Sequence, residues 1–280
     1  MVADFFEGRM MTKITLSVLD QNSNIKICKS AFDFLMLTYK GEYQAGDVIR
    51  IEVDNPPCYL KLRLEDSLES CLVYVTEKLF EFQIPFGDQK RLYNSDKAFQ
   101  GGLHFLWVRS AREYEINQYG NLAFNPYCQP QQKGVYPQIS SNIVPSNIRF
   151  APYNVIDGIF DSNAHGSYPF TSWSNAQSPN AQLKIDFGRT VEIDGLILML
   201  RADFPHDAWW ESLSVHFSDG SEEILHLSRT GQPQTFSFKQ RQSDFILLTN
   251  FIKGEDKSPF TALTQIEVLG QNIRIQHSEK

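Results

Sequence analysis

Short runs in which apolar and polar residues alternate cover most of the chain, and turn residues separate them. In the first half, Leu60, Leu62 and Leu64 alternate with Lys61 and Arg63. This period of two places one face of each run on a core and the other toward solvent. No window shows a helical period longer than about three turns. The pattern predicts antiparallel strands and an all-β fold.

The alternation resumes in the second half of the chain. Leu183, Ile185 and Phe187 form one run, and the turn Ser218-Asp219-Gly220-Ser221 separates two others. An Asp-Gly pair between two alternating runs is typical of a β-hairpin. We therefore expect two antiparallel β-sandwiches of jelly-roll-like architecture, over about residues 12–121 and 147–270.

A change in composition marks the boundary between the two halves. Four prolines, Pro126, Pro130, Pro137 and Pro145, stand in a stretch rich in Gln, Ser and Asn that cannot pair as a continuous strand. The predicted division is an N-terminal sandwich of unassigned family over residues 1–120, an ordered connector over 121–146 and a second sandwich over 147–280.

Charge and cysteine usage narrow the class of protein. The 280 residues include 26 Lys and Arg against 33 Asp and Glu, for a net charge of −7. This sign disfavours nucleic acid and anionic membranes as partners. The sequence contains no signal-like start, no apolar stretch long enough to span a bilayer and no CxxC pair among its four cysteines. These features predict a cytoplasmic protein.

Four sequence blocks over about residues 142–270 resemble the discoidin family, also known as coagulation factor V/VIII type C domains, which includes many bacterial sugar-binding modules. In chain order, the blocks are Asn154-Val-Ile-Asp157-Gly158, Thr171-Ser172-Trp173-Ser174, Ala181-Gln-Leu-Lys-Ile-Asp186-Phe187-Gly188 and Gln265-Ile-Glu267-Val-Leu-Gly270. The resemblance implies a galactose-binding-like β-sandwich. It says less about the ligand, because this fold hosts sugars, lipids and protein partners.

The resemblance also implies a structural calcium site. The residues that match its positions are Asp157, Asp161, Thr171 and Glu267. Calcium prefers six to eight hard oxygen ligands, which these residue types can supply in part. The alternative is that Asp157 only holds the turn before Gly158. This chain departs from the family in a longer loop over residues 159–170, and it has no cysteine after Cys128.

An unusual loop interrupts the strand pattern at residues 201–210. It combines charged, imidazole and aromatic side chains, as expected of a sugar site that stacks on a ring and hydrogen-bonds hydroxyl groups in pairs. The candidate ligand-binding residues are Arg201, Asp203, His206, Asp207, Trp209 and Trp210, together with His165 from the other long loop. In the alternative, Trp209 and Trp210 plug the sandwich and Arg201 pairs with Asp203.

The sequence contains no nucleophile elbow, zinc-protease motif, phosphate-binding loop or dinucleotide fingerprint. We therefore expect non-catalytic recognition of a glycan by loops at one end of the second sandwich. One alternative is a glycan-processing or metal-assisted hydrolase with its site between the domains, using His165, Asp203, His206 and Asp207. Another is a protein-interaction module.

Overall fold

The structure, a computed structural model, describes residues 11–93, 95–130, 132–160, 172–202 and 208–273. In chain order, strands β1 to β16 are Lys13–Leu19, Ile25–Phe32, Phe34–Lys40, Val48–Val53, Cys58–Arg63, Cys71–Val75, Leu79–Gln83, Leu103–Ser110, Gly120–Asn121, Val135–Tyr136, Gln138–Ser141, Leu183–Leu200, Trp210–Phe217, Glu222–His226, Gln234–Lys253 and Leu263–Asn272. The short helices are α1, Glu113–Ile116, and the 3₁₀ helices Gly87–Leu92, Ile148–Phe150 and Pro152–Val155.

The first part of the chain forms two antiparallel sheets. One has the strand order β2-β1-β4-β7, and the other has the order β10-β6-β5-β8-β3. Alternate residues of each strand are buried, such as Ile14, Leu16 and Val18 of β1. The burial follows from the pleat, which points every second side chain to the same face.

The second part is built around two long strands that each pair in two directions. Residues 183–186 of β12 pair with β11 and with the end of β15, whereas residues 191–198 pair with β16 and the start of β15. The register shifts between Asp186 and Val191. β12 therefore pairs with β15 in both segments, whereas its other neighbour changes from β11 to β16.

The buried apolar residues of the described chain fall into two clusters. One contains residues of β1 and β3 to β8, and the other contains residues of β12 to β16 together with Val155, Ile156 and Trp173. The connecting segment contributes to both, with Tyr127 and Val135 in the first and Ala123 and Cys128 in the second. The segment is thus packed between them.

The expectation of a nearly all-β chain with antiparallel sheets is confirmed. The predicted hairpin is present, since β13 and β14 pair antiparallel and Gly220 at the turn has φ +84°. Within the described ranges, no helix is both long and apolar enough to cross a membrane.

Candidate functional site

Strand register shows which loops of the second part share an end. Trp210 pairs with Lys253, Leu200 pairs with Leu263 and Leu198 pairs with Gln234. The segments 200–202, 208–210, 228–233 and 253–263 therefore lie together, and we call them the outer end. The opposite end, with residues 187–190 and 270–272, is the inner end.

Trp210 lies at the outer end but points into the core. Its side chain is completely buried, and its ring centroid lies 6.1 Å from that of Trp173 and 4.9 Å from that of Phe251. Trp173 and Phe251 are 5.3 Å apart, so the three rings form one cluster. Trp210 is therefore part of the core, as in the alternative in which the tryptophans plug the sandwich. Its ring is not accessible to a ligand.

Trp209 precedes β13 and is only partly buried. The backbone N–H of Gly254 donates to the Trp209 carbonyl oxygen at 3.0 Å. A Cβ atom at position 254 would lie 2.4 Å from Cε2 of Trp209, which is closer than any real contact. Glycine at this position therefore lets the backbone approach the indole ring, and a larger residue would displace the ring.

Two residues that the sequence did not single out complete this arrangement. The Cζ atom of Arg229 lies 5.3 Å from the centroid of the Trp209 ring, and Nη2 of Arg229 lies 2.8 Å from Oδ2 of Asp256. The Arg229 side chain is 47% exposed, whereas that of Asp256 is 13% exposed. At the outer end, the Arg229 guanidinium group therefore lies between the Trp209 ring and the Asp256 carboxylate and contacts both.

The loop that carries Asp256 is ordered by its own hydrogen bonds. Lys253 Nζ donates to the carbonyl oxygen of Asp256 at 2.8 Å, and the N–H of Ser258 donates to Oδ1 of Asp256 at 2.7 Å. These contacts fix the carboxylate before any ligand arrives. The ordering entropy of the loop is therefore not part of the cost of binding.

Arg201 is also at the outer end, directly after β12. It is 8% exposed, and its backbone N–H donates to the Ala262 carbonyl oxygen at 2.8 Å. Arg201 is thus close to Trp209 in sequence but much less accessible than Arg229. The other predicted ligand-binding residues, His165, Asp203, His206 and Asp207, lie outside the described residues.

Two of the four predicted calcium ligands are described. Oδ1 of Asp157 accepts a hydrogen bond from the N–H of Ile159 at 2.8 Å, and Gly158 has φ +83°. Asp157 therefore holds the turn before Gly158. Burial raises the pKa of Asp157 well above its usual value and also raises that of Glu267. Asp161 and Thr171 lie outside the described residues.

Buried polar atoms without partners in the described part of the chain occur at the start of β16 and next to Trp173, which pairs with Leu263. The side-chain amide of Gln265 and the hydroxyl groups of Thr264 and Ser172 are buried, and they have no hydrogen-bond partner among the described residues. Such atoms usually require a partner, since desolvation without one is costly. Amide and hydroxyl oxygens are among the atom types that calcium accepts as ligands. Within the described part of the chain, no group of three or more His, Cys, Asp or Glu side chains has the arrangement of a metal site.

No protein-family model matches this sequence, and no curated protein matches it. Several solved structures are similar. A chitosan-binding module from Paenibacillus sp. IK-5 is 16% identical, with 54% of this chain and 98% of that chain covered and a TM-score of 0.37. A family 32 carbohydrate-binding module from C. perfringens NanJ, in complex with galactose, is 13% identical, with 47% and 92% covered and a TM-score of 0.36.

A Streptococcus pneumoniae fucose binding module is 13% identical, with 55% of this chain and 96% of that chain covered and a TM-score of 0.37. The names of all three describe binding to a carbohydrate. Because the TM-scores lie below 0.5, we assign the fold and the candidate site from this chain's own strand pairing and contacts.

Proposed function

We propose that this protein recognises a carbohydrate without catalysis, through the outer end of the second sandwich. The observation that carries the proposal is the contact between Trp209, Arg229 and Asp256. It supplies the two requirements of a sugar site, an apolar plane and a charged hydrogen-bonding pair, on loops that are already ordered.

Each residue has a distinct role in this proposal. The exposed part of the Trp209 ring packs against the C–H face of a sugar. Arg229, which lies beside the ring, donates to ring or hydroxyl oxygens of the sugar, because a guanidinium group has five donors. Asp256 accepts from an adjacent hydroxyl group and holds Arg229 in position. Arg201, Asp203, His206, Asp207 and His165 remain candidates for further contacts.

The test compares binding of defined oligosaccharides to the full chain and to outer-end variants. We expect Trp209→Ala and Arg229→Ala each to weaken binding by tens of fold, since a hydrogen bond to a charged group contributes roughly 1.5–3 kcal/mol. Gly254→Ala should weaken binding as well, because its Cβ atom displaces the indole ring. Binding is measured by glycan array, followed by calorimetry.

Arg241→Ala is the matched control. The Arg241 guanidinium also lies over aromatic rings, 4.4 Å from the Phe217 centroid and 5.1 Å from that of Phe238, and it also pairs with a carboxylate, that of Glu223. It lies away from the outer end, so its loss should leave glycan binding unchanged. Equal weakening by Arg229→Ala and Arg241→Ala would contradict the proposal.

A hydrolase is the competing function, and the same samples distinguish it. Binding without release of reducing ends supports recognition, whereas release of new reducing ends identifies turnover. The residues that this alternative requires, His165, Asp203, His206 and Asp207, are to be replaced by alanine in that assay. Loss of turnover on their replacement would establish the hydrolase.

We also propose that calcium supports the second sandwich structurally, with Asp157 and Glu267 among its ligands.

The two buried apolar clusters are, in this proposal, the cores of two domains that meet at the packed connector. A cytoplasmic location remains our prediction from the sequence.

A further inference from the structure

Residues 95–102, which lead into β8, have no role in the function proposed above, and we call them the Phe99 loop. Most of its residues are exposed, but Ala98 and Phe99 are each 1% exposed. The ring centroid of Phe99 lies 5.6 Å from that of Phe82 in the first apolar cluster. Insertion of this ring therefore fixes an otherwise exposed loop to the core.

The backbone of Phe99 is held on both sides by charged side chains. Its φ angle is +55°, in the left-handed region that a bulky residue rarely adopts. The Phe99 N–H donates to Oε2 of Glu65 at 3.0 Å, and Nζ of Lys90 donates to the Phe99 carbonyl oxygen at 3.0 Å. A strained residue persists only where its surroundings hold it. These two contacts therefore keep the loop closed.

The carboxylate of Glu65 is enclosed by the closed loop. The residue is 4% exposed, and its Oε1 accepts from the N–H and the hydroxyl group of Ser67 at 3.3 and 3.2 Å. In the described part of the chain, every hydrogen bond that it accepts thus comes from a neutral donor. Burial raises the pKa of Glu65, and the charge of Asp66 adds to this. An open loop would return the carboxylate to water and its pKa toward the ordinary value.

Other ionisable side chains surround Glu65 on the neighbouring elements. Burial raises the pKa of each tyrosine among them above its ordinary value, so the tyrosines stay uncharged near neutral pH. His104 contacts the Phe99 loop directly, with 3.0 Å between its Nε2 and the Gly101 carbonyl oxygen, and histidine commonly changes charge near neutral pH. A test must therefore separate Glu65 from His104. The full set is Tyr43, Asp66, Lys90, Tyr93, His104 and Tyr127.

We propose that the Phe99 loop is a pH-dependent flap, in which Glu65 releases its proton to solvent as the loop opens. The closed loop binds this proton more tightly than the open loop does, so a lower proton concentration favours opening. The closed state is therefore most favoured below the ordinary Glu65 pKa of 4.5, and this advantage is lost as the pH rises through the raised value. The inference is independent of glycan binding and of calcium.

Hydrogen exchange of the Phe99 amide in the full chain tests the flap directly, because opening releases this N–H. Its rate is divided by that of an unstructured peptide of the same local sequence at each pH. The relative rate in the wild type should rise with pH, by at most about tenfold per pH unit because one proton is released. In Glu65→Gln it should be constant, since the amide oxygen still accepts from Phe99 but does not titrate.

The matched control is Asp54→Asn. Oδ1 of Asp54 also accepts from a backbone N–H, that of Lys13 at 2.9 Å, but at an exposed position. This variant should leave Phe99 exchange as in the wild type. Lys90→Met should raise the relative rate at every pH without changing its slope, because it removes the contact that does not involve Glu65.

The outcomes are distinct. A wild-type relative rate that is constant with pH overturns the proposal, and so does a rise that persists in Glu65→Gln. Equal protection of Phe99 and of the core residue Leu62 also overturns it, because the loop then opens only when the sandwich unfolds. If Glu65→Gln does not fold, His104→Gln decides: a rise retained in this variant supports Glu65, and a rise lost in it overturns the proposal.

Discussion

The two ends of the second sandwich use the same chemistry for different purposes. At the inner end, the Cζ atom of Arg189 lies 5.1 Å from the ring centroids of both Tyr59 and Tyr74, and its Nε donates to Oδ1 of Asn272 at 2.7 Å. At the outer end, Arg229 lies over a single ring, and its side chain is 47% exposed. Both arginines contact aromatic rings, but only one remains accessible.

The difference lies in what covers each end. Residues from the first part of the chain close the inner end. Asn272 Nδ2 donates to the Ile116 carbonyl oxygen at 2.6 Å, and a Cβ atom on Gly188 would lie 2.3 Å from the Tyr136 ring. Burial there lowers the pKa of Arg189, because desolvation disfavours its charge. A guanidinium group over a ring therefore indicates a binding site only where the side chain is exposed, as that of Arg229 is.

The largest expected effect separates the two adjacent tryptophans of the outer end. Trp210→Ala should lower the free energy of unfolding by about 3–5 kcal/mol, because it leaves a cavity among Trp173 and Phe251. Trp209→Ala should lower it by less than about 1 kcal/mol, because the ring is partly in solvent. Urea denaturation of both variants gives the two values. Equal losses would show that both rings belong to the core.

Calcium should have the next largest effect. An ion that binds only the folded state stabilises it by about 2.7 kcal/mol at a hundredfold excess over its Kd. The melting temperature should therefore rise with added calcium and fall with a chelator, and Glu267→Gln should abolish the shift. An unchanged melting temperature in the wild type, with no ion in a calcium-soaked crystal, would remove calcium from the proposal.

Arg189→Ala tests whether the inner end is structural. The substitution removes the hydrogen bonds from Arg189 to Asn272 and to the Phe187 carbonyl oxygen. We expect the free energy of unfolding to fall by about 2 kcal/mol. Glycan binding by the folded variant should remain at the wild-type level. Arg229→Ala is the counterpart, with weakened binding and nearly unchanged stability. If Arg189→Ala instead weakened binding without affecting stability, the roles assigned to the two ends would be reversed.

The smallest effect concerns the helix that meets the inner end. Arg109 donates to both carboxylate oxygens of Glu115, at 2.7 and 2.6 Å, and this lowers the Glu115 pKa from 4.5 to about 2. A lowered folded-state pKa adds stability above the unfolded value of 4.5, and that stability is lost as pH falls toward 2. Because solvent screens the ion pair, we expect Glu115→Gln to lower the free energy of unfolding by only about 1 kcal/mol at pH 7.

Urea denaturation at several pH values checks this expectation. The difference between the wild type and Glu115→Gln should shrink steadily as the pH is lowered from 5 toward 3. A difference that stays constant over this range would show that the contribution of Glu115 does not depend on its charge.

The strands and the hairpin could be predicted from the sequence because the period of two is a local property of the chain. The composition of residues 201–210 also breaks that period, but Trp210 itself is the first residue of β13. The separate roles of Trp209 and Trp210 were not predictable. Adjacent residues of a strand point to opposite faces, but only the position of the core decides which of the two is buried.

Arg229 and Asp256 could not be found in the same way. Neither residue is unusual in its local sequence, and each reaches Trp209 from a different loop. Similarly, Leu103 to Val108 reads as one apolar run, and the alternation of Leu103, Phe105 and Trp107 toward solvent appears only once the strand is placed in its sheet. These contacts depend on register and on strand order.

The sequence by itself determined the all-β class and the approximate positions of the strands, because pleating and turn formation depend on near neighbours. The tertiary structure decided which rings are buried, which arginine is enclosed and which remains accessible. Solvent access depends on the packing of segments far apart in the chain, and the same guanidinium group over a ring stabilises an interface when enclosed and can meet a ligand when exposed.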